Sequence, residues 1–284
     1  MIYFEKLGRM GRLGNQLFQY AALRGLCLKH GYRAVIPDLS ERSCHGQVSL
    51  LNEFNISADV YNGERGRHKM KEASWRAVDK RFNRLRDNSI IEGYFQSIYY
   101  FKDYQDIIKR ELTPNGEHVM KNVKYMLDLR AENEFRPIIS VHLRRGDNMT
   151  WTNSHNYTPA YEADGVYWDY FMRAREVFSG MDAKFLIFTG GSRGEEDNSK
   201  DMEWCRKMFI GEEYLFSDAQ NPIDDLTRIM FCDHNILSHV SSFGWWGAYL
   251  NRNPSKKVVA PESYHPEEPS LKRYMFYPDE YILV

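Results

Sequence analysis

From Arg136 to Ala260 the chain alternates, with little slack, between short apolar runs and amphipathic helical segments. The strand candidates are Ile138 to Leu143, Phe185 to Phe188, Tyr214 to Phe216, Asn235 to Leu237 and Lys256 to Ala260. Between them lie helix candidates at Tyr167 to Phe178, Asp201 to Phe209, Pro222 to about Cys232 and Ser242 to Leu250. Strands too short and too apolar to face water, each followed by a helix, imply a parallel sheet covered on both faces. Ligands of such sheets sit beyond the carboxyl ends of the strands. A second, smaller alternation opens the chain: strand Ile2 to Leu7, a glycine-punctuated loop, helix Gln16 to Lys29, and strand Arg33 to Ile36. The expected organisation is therefore two α/β halves, residues 1–135 and 136–284.

One middle segment reads differently. Residues 64–88 are dense in Arg and Lys, while Trp75, Val78, Phe82 and Leu85 recur at helical spacing. That pattern predicts a basic amphipathic helix, either a solvated surface helix or a peripheral contact with an anionic membrane.

Charge and cysteine usage exclude several classes. A formal net charge of -1 argues against a dedicated nucleic-acid binder. The four cysteines, Cys27, Cys44, Cys205 and Cys232, form no C-x-x-C pair and no disulfide framework. The first residues lack the apolar run of a signal peptide, so the expected location is cytoplasmic and reducing. Aromatics at 14% suit either stacking on sugar faces or plain core filling.

Four segments carry candidate chemistry. His142-Leu143-Arg144-Arg145-Gly146-Asp147 falls at a strand end, where paired guanidinium forks match phosphate oxygens and neutralise a departing diphosphate without a metal. The alternative is a structural ion pair between Arg145 and Asp147. Ser241-Ser242-Phe243-Gly244-Trp245-Trp246-Gly247 opens a helix whose first N–H groups and hydroxyls can collect phosphate oxygens. Thr189-Gly190-Gly191 would let a nucleotide lie against the backbone. The loop Gly8-Arg9-Met10-Gly11-Arg12-Leu13-Gly14-Asn15-Gln16 fits neither G-x-G-x-x-G nor the P-loop, which removes the dinucleotide and P-loop readings. Its two amides can orient a sugar, or Asn15 can be a helix N-cap. There is no D-x-D metal clasp and no H-E-x-x-H.

Taken together, these segments resemble the inverting alpha-1,2-fucosyltransferases. The resemblance rests on Gly11 to Ala21, Gly93-Tyr94-Phe95-Gln96-Ser97, His142 to Asp147 and Ser241 to Gly247 in that order, with Asp201-Met202-Glu203-Trp204-Cys205 as a weaker fifth. It implies a GT-B-like α/β fold of two facing Rossmann-like domains, the first toward the acceptor and the second binding the donor in a cleft between them. It implies GDP-L-fucose as donor, a galactose-containing glycan as acceptor, and no metal or other cofactor. Arg144 is then the diphosphate clamp, with Arg145, His142, Gly14, Asn15, Gln16, Thr189, Gly190, Ser241, Ser242 and Phe243 around the donor.

Asn15 is expected to assist transfer, and Asp147, then His142, to take the acceptor's proton. Trp151, His155, Tyr157 and Tyr161 are the candidate acceptor-stacking residues. Gly244 stands where the family commonly has Ser, and Tyr249 where it often has Trp. The phenylalanine-serine-aspartate-aspartate element expected after Phe188 is replaced by residues 189–199. The remaining alternatives are a fucosyltransferase of another linkage, alpha-1,6 or protein O-linked, and an inactive GDP-sugar-binding module.

Overall fold

The computed structural model describes residues 1–146, 164–190, 199–262 and 276–284, apart from positions 41, 45, 62, 64, 65 and 76; of helix residues 164–167 only the backbone is described. The chain divides into two compact units. The first runs from Met1 to Asn115 and takes in the described residues 276–278; the second holds the described part of 116–262 and Asp279–Val284.

The first unit is a parallel sheet of short strands. Its elements are β1 (Ile2–Tyr3), α1 (Leu13–His30), β2 (Ala34–Ile36), a hairpin of β3 (Ser43–Cys44) and β4 (Gln47–Val48), β5 (Asp59–Val60), β6 (His68–Lys71), β7 (Ser89–Glu92) and α2 (Gln105–Glu111). The sheet order is β5-β2-β1-β7-β6, every pairing parallel. Helix α1 is buried on most of its surface, because small residues such as Ala21, Ala22 and Gly25 let it lie close to its neighbours. Tyr20 and Arg24 on α1 both bind the Glu111 carboxylate of α2, at 2.6 Å and 3.0 Å.

The expected basic helix over 64–88 is corrected by the structure. His68–Lys71 is strand β6, paired residue for residue with β7 from His68↔Ser89 to Lys71↔Glu92, and Phe82–Arg84 is a single 3-10 turn. Phe82 is fully buried against the rings of Phe95 and Tyr100. The apolar residues at helical spacing are thus anchors of an extended, turning segment, and the membrane-surface reading loses the amphipathic helix it required. Among the described residues no helix is long and apolar enough to cross a membrane.

The second unit follows the predicted alternation closely: α3 (Gly116–Glu132), β8 (Ile138–Arg144), α4 (Asp164–Glu176), β9 (Lys184–Gly190), α5 (Ser199–Met208), β10 (Tyr214–Phe216), α6 (Pro222–Met230), β11 (His234–Ile236), α7 (Ser242–Leu250), β12 (Val258–Ala260) and β13 (Ile282–Leu283). Its sheet is wholly parallel in the order β10-β9-β8-β11-β12-β13. β8 sits in the middle, buried from Ile138 through Leu143, with Tyr170, Phe171, Ala174, Phe185 and Phe209 in the same core cluster as its outward-alternating residues. The helix caps are local: Asn221 accepts from the Asp224 N–H at 2.9 Å ahead of Pro222, and Ser241 accepts from the Gly244 N–H at 3.2 Å.

The division falls at residues 115/116 and not at 135, and the reason is α3. Its Lys121 and Asn122 bind the Asp224 carboxylate of α6 at 2.5 and 2.8 Å, and the Arg228 guanidinium donates to Asn122 at 3.0 Å and lies over the Tyr125 ring. Met126 joins Ile138, Leu186, Phe188 and Ile229 in the core. A polar network buried this deeply ties α3 to the second sheet.

Candidate donor site at the carboxyl ends of the second sheet

β8, β9 and β11 end side by side, and the residues just past their ends form the candidate site. Arg144 is the last residue of β8, in register with Gly190 of β9. Its backbone N–H donates to the Ser238 hydroxyl at 3.0 Å, and its Nη1 donates to the Gly190 carbonyl at 3.1 Å. The residue is half-buried, with its guanidinium anchored on that carbonyl. Thr189 bridges the same strands through its hydroxyl to the Leu143 carbonyl at 3.1 Å.

Arg145 is treated quite differently. It is 8% exposed, its Nε faces Asp201 Oδ1 at 3.3 Å, and its guanidinium carbon lies 3.8 Å from the centroid of the Trp204 ring. Asp201 also accepts from the Gly146 N–H at 2.9 Å. Asp201 and Trp204 both lie on α5, so the weak fifth motif is what grips this arginine. Arg145 thus forms an ion pair with Asp201, while the pair expected with Asp147 is not described. Asp147 lies outside the described residues, as do Trp151, His155, Tyr157, Tyr161 and Gly191.

His142 is 6% exposed beside Phe243, ring centroids 5.6 Å apart. Burial, with the Arg144 charge second, pushes its pKa down to about 3, so the ring is neutral near physiological pH. A ring so reluctant to take a proton is a poor general base and serves better as a fixed neutral dipole. Its Nδ1 is buried and has no hydrogen-bond partner among the described residues. That nitrogen packs against Gly244: a Cβ there would come within 2.8 Å of it. Glycine at 244 is a condition for the imidazole to lie where it does.

The start of α7 completes the arrangement. Ser241 spends its hydroxyl as the buried N-cap, so the half-buried Ser242 and Phe243 are the side chains the first turn presents. Val240, just before the cap, has φ +49, costly for a β-branched residue by about 1–3 kcal/mol. Such strain is held in place by its surroundings, and it occurs here where strand turns sharply into helix.

In the first unit the structure brings Gly14, Asn15 and Gln16 together at the start of α1. The helix begins at Leu13 with Arg12 as N-cap, so Asn15 lies inside the first turn and is not the cap. Gln16 is engaged within the loop, donating to the Gly11 carbonyl at 2.8 Å and accepting from the Ser49 hydroxyl at 2.7 Å. Asn15 Oδ1 accepts from Gln96 Nε2 at 2.5 Å, which joins the loop to the Gly93–Ser97 motif. That motif is itself strained, with φ +50 at Phe95, and is pinned by Glu72, whose carboxylate accepts from the Tyr94 and Phe95 N–H groups at 2.8 and 3.1 Å.

Ser238, Asp201, Gln96 and Glu72 are supporting residues that the sequence reading did not single out as site residues. Asp201 and Gln96 lay inside motifs that had been noticed; Ser238 and Glu72 carry no local signal. Cys205, buried beneath the Arg145–Asp201 pair, has its thiol pushed up to about 12 by burial and offers no nucleophile. All four cysteines are free.

The family model of Glycosyl transferase family 11 matches residues 6–281. The chain belongs to that family. Among curated relatives, it is 28% identical over 258 residues to galactoside alpha-(1,2)-fucosyltransferase 1 of Bos taurus, covering 84% of this chain and 64% of the relative. It is 26% identical over 261 residues to galactoside 2-alpha-L-fucosyltransferase Sec1 of Mus musculus, covering 84% and 62%. The chain thus spans less than two thirds of the length of the curated relatives it matches.

Among solved structures, Arabidopsis thaliana FUT1 in complex with GDP superposes with a TM-score of 0.54 at 10% identity, covering 99% of this chain and 75% of that one. Fucosyltransferase NodZ from Bradyrhizobium gives 0.52 at 12% identity, covering 87% and 90%. These likenesses place the chain in the GT-B class of α/β folds, as its motifs implied.

Proposed function

We propose that this protein is an inverting, metal-independent glycosyltransferase that moves L-fucose from GDP-L-fucose to the 2-hydroxyl of a galactoside. The observation that carries the reading is Arg144: a half-buried guanidinium held by the Gly190 carbonyl at the end of the central strand, beside the N-terminus of α7. The names of the curated relatives support fucose as the sugar and the alpha-1,2 linkage.

In the proposed reaction the bond between the fucosyl anomeric carbon and the β-phosphate oxygen breaks as the galactose 2-hydroxyl oxygen bonds to the opposite face of that carbon. GDP leaves with the electron pair. Arg144 and the first N–H groups of α7 meet its growing charge, which is the work a metal performs in other sugar transferases. His142, neutral and buried, fixes the polar edge of the donor pocket with Phe243, and Ser242, Thr189 and Gly190 line the path of the diphosphate. Arg145 acts by holding the strand end, through Asp201 and Trp204. Asn15, oriented by Gln96, assists on the first unit's side, and the hydroxyl proton passes to Asp147. Trp151, His155, Tyr157 and Tyr161 are proposed for the acceptor.

The test is product analysis. Incubation with GDP-L-fucose and β-galactosides is expected to give an alpha-1,2-linked product whose rate EDTA does not change. An alpha-1,6 or protein O-linked product would overturn the linkage. Inhibition by EDTA reversed by Mn²⁺ would overturn the metal-free mechanism. GDP binding with neither transfer nor donor hydrolysis would leave only a binding module.

A further inference from the structure

The first unit contains a cavity of about 270 Å³ that the donor chemistry does not use. Its walls come from the carboxyl ends of three neighbouring strands: Tyr3 and Glu5 from β1 onward, Val35, Ile36 and Pro37 from β2, and Tyr61 just past β5. This is where an open parallel sheet places its ligands. Arg42 closes one side.

Arg42 is built into position. Gly8, at φ +82, lies so close that a Cβ on it would come within 2.7 Å of Arg42 Cβ, so the loop following β1 is shaped around this side chain. The Arg42 backbone is tied by its N–H to the Leu39 carbonyl at 3.1 Å and by its carbonyl to the Ser49 N–H at 2.7 Å. Its guanidinium is half-buried and has no carboxylate partner among the described residues. Burial, and next the charge of Arg9, lower its pKa. A half-buried, unpaired cation lining a cavity is a group arranged for something that enters it.

The chemistry of the walls selects the ligand. The floor is apolar, from Val35, Ile36 and Pro37; two tyrosine rings stand at the sides; and the polar rim pairs an acceptor-only carboxylate, the exposed Glu5, with a donor-only guanidinium. An anion would meet Glu5 and a cation would meet Arg42. A neutral ring with C–H faces and several hydroxyls satisfies both. The volume falls just below the roughly 300–1,000 Å³ of drug-sized pockets, which suits one pyranose.

We propose that this cavity is a subsite for a neutral hexopyranose of the acceptor glycan, stacked at Tyr61 and hydrogen-bonded by Arg42 and Glu5. The proposal rests on the transferase reading above and names where in the first unit its acceptor is held.

The test is saturation-transfer NMR with methyl β-D-galactoside and lactose on the wild type, Arg42→Ala, Tyr61→Ala and Tyr61→Phe, with GDP calorimetry and thermal melting on each. The expected result is saturation of the galactoside protons by the wild type and Tyr61→Phe, its loss in Arg42→Ala and Tyr61→Ala, and unchanged GDP affinity and melting in all. In transfer assays the two alanine variants should raise the acceptor KM by about tenfold or more with kcat and donor KM held. Wild-type levels of saturation and KM in both alanine variants, or no galactoside saturation by the wild type, would overturn the subsite. Pocket-dependent saturation by a protein that transfers no fucose would keep the sugar site and overturn its acceptor role. Saturation of GMP protons that Tyr61→Ala abolishes, without any galactoside effect, would make it a nucleotide pocket.

Discussion

Both units place a glycine-bearing loop after a parallel strand and lead it into a helix, yet the two loops solve opposite problems. The loop into α1 is braced by amides: Gln16 and Gln19 donate to the Gly11 and Met10 carbonyls, and Asn15 is held by Gln96. The carboxyl ends of β8 and β11 gather two arginines, a neutral imidazole and the Ser241-capped start of α7, and leave His142 Nδ1 without a partner among the described residues. The strands differ to match. β1 is two residues long, whereas β8 runs for seven through the centre of its sheet. One topological position thus supplies an amide-braced turn in the first unit and a strand-end arginine beside a buried imidazole in the second.

The sharpest way to break this comparison is to remove the charge. Arg144→Ala is expected to lower kcat/KM for transfer by about 10³-fold with little change in melting, since it removes the proposed phosphate ligand and not a core contact. Arg145→Ala should do the reverse. Leaving Asp201 unpaired in a nearly closed site should cost about 3 kcal/mol of stability, read by urea unfolding. Equal stability losses in the two variants would show that the arginines share one role.

On the amide-braced side, Asn15→Ala should reduce transfer by a smaller factor, about 10- to 100-fold, and Gln96→Ala should reproduce part of it by freeing the Asn15 amide. Full activity in both would reduce that loop to scaffold. Gly244→Ala lies between the two regimes. The new methyl group must displace the His142 ring, so donor KM should rise several-fold while the fold survives. An unchanged donor KM would detach His142 from the site.

The smallest effect is a pH signature. Burial raises the Asp225 carboxyl to about 7, above its ordinary 3.8, so the folded protein binds this proton more tightly than the unfolded chain. Its contribution to stability is full below about pH 4 and is lost as pH rises toward 7. Neighbouring Asp224 runs the other way. It is lowered to about 2 against an opposing burial effect by its bonds to Lys121 and Asn122, so its contribution is lost only in strong acid. Urea unfolding from pH 4 to 7 should show a decline that Asp225→Asn removes. The same decline in the variant would rule Asp225 out as its source.

Much of the second unit was legible because each strand there is a short apolar run closed by a turn residue and followed by a helix with its own cap, such as Asn221-Pro222 or Ser241. The first unit was less legible. β5 and β6 are held by pairing with neighbours and not by their own apolarity: Asp59 and Val60 are exposed, and His68-Lys69-Met70-Lys71 buries only Met70. The helical spacing of Trp75, Val78, Phe82 and Leu85 imitates a helix.

Of the site, the strand-end position of Arg144 could be inferred from β8 itself. The division of labour between Arg144 and Arg145 could not, because it depends on Asp201 and Trp204, more than fifty residues onward. The boundary at 115 was hidden for the same reason: α3 looks like a surface helix until Asp224 and Arg228 meet it.

The placement of Arg144 on β8 has a consequence for motion. β8 is hydrogen-bonded on both sides along its buried stretch, from Ile139 through Val141 to β11 and from Ile138 through Arg144 to β9. Amide hydrogens in such a strand exchange only when a large part of the unit opens. Protection should be near its maximum at Val141 and fall off within two or three residues past Arg144. The proposed clamp is therefore mounted at the rim of a strand paired on both sides, where its backbone keeps a fixed aim.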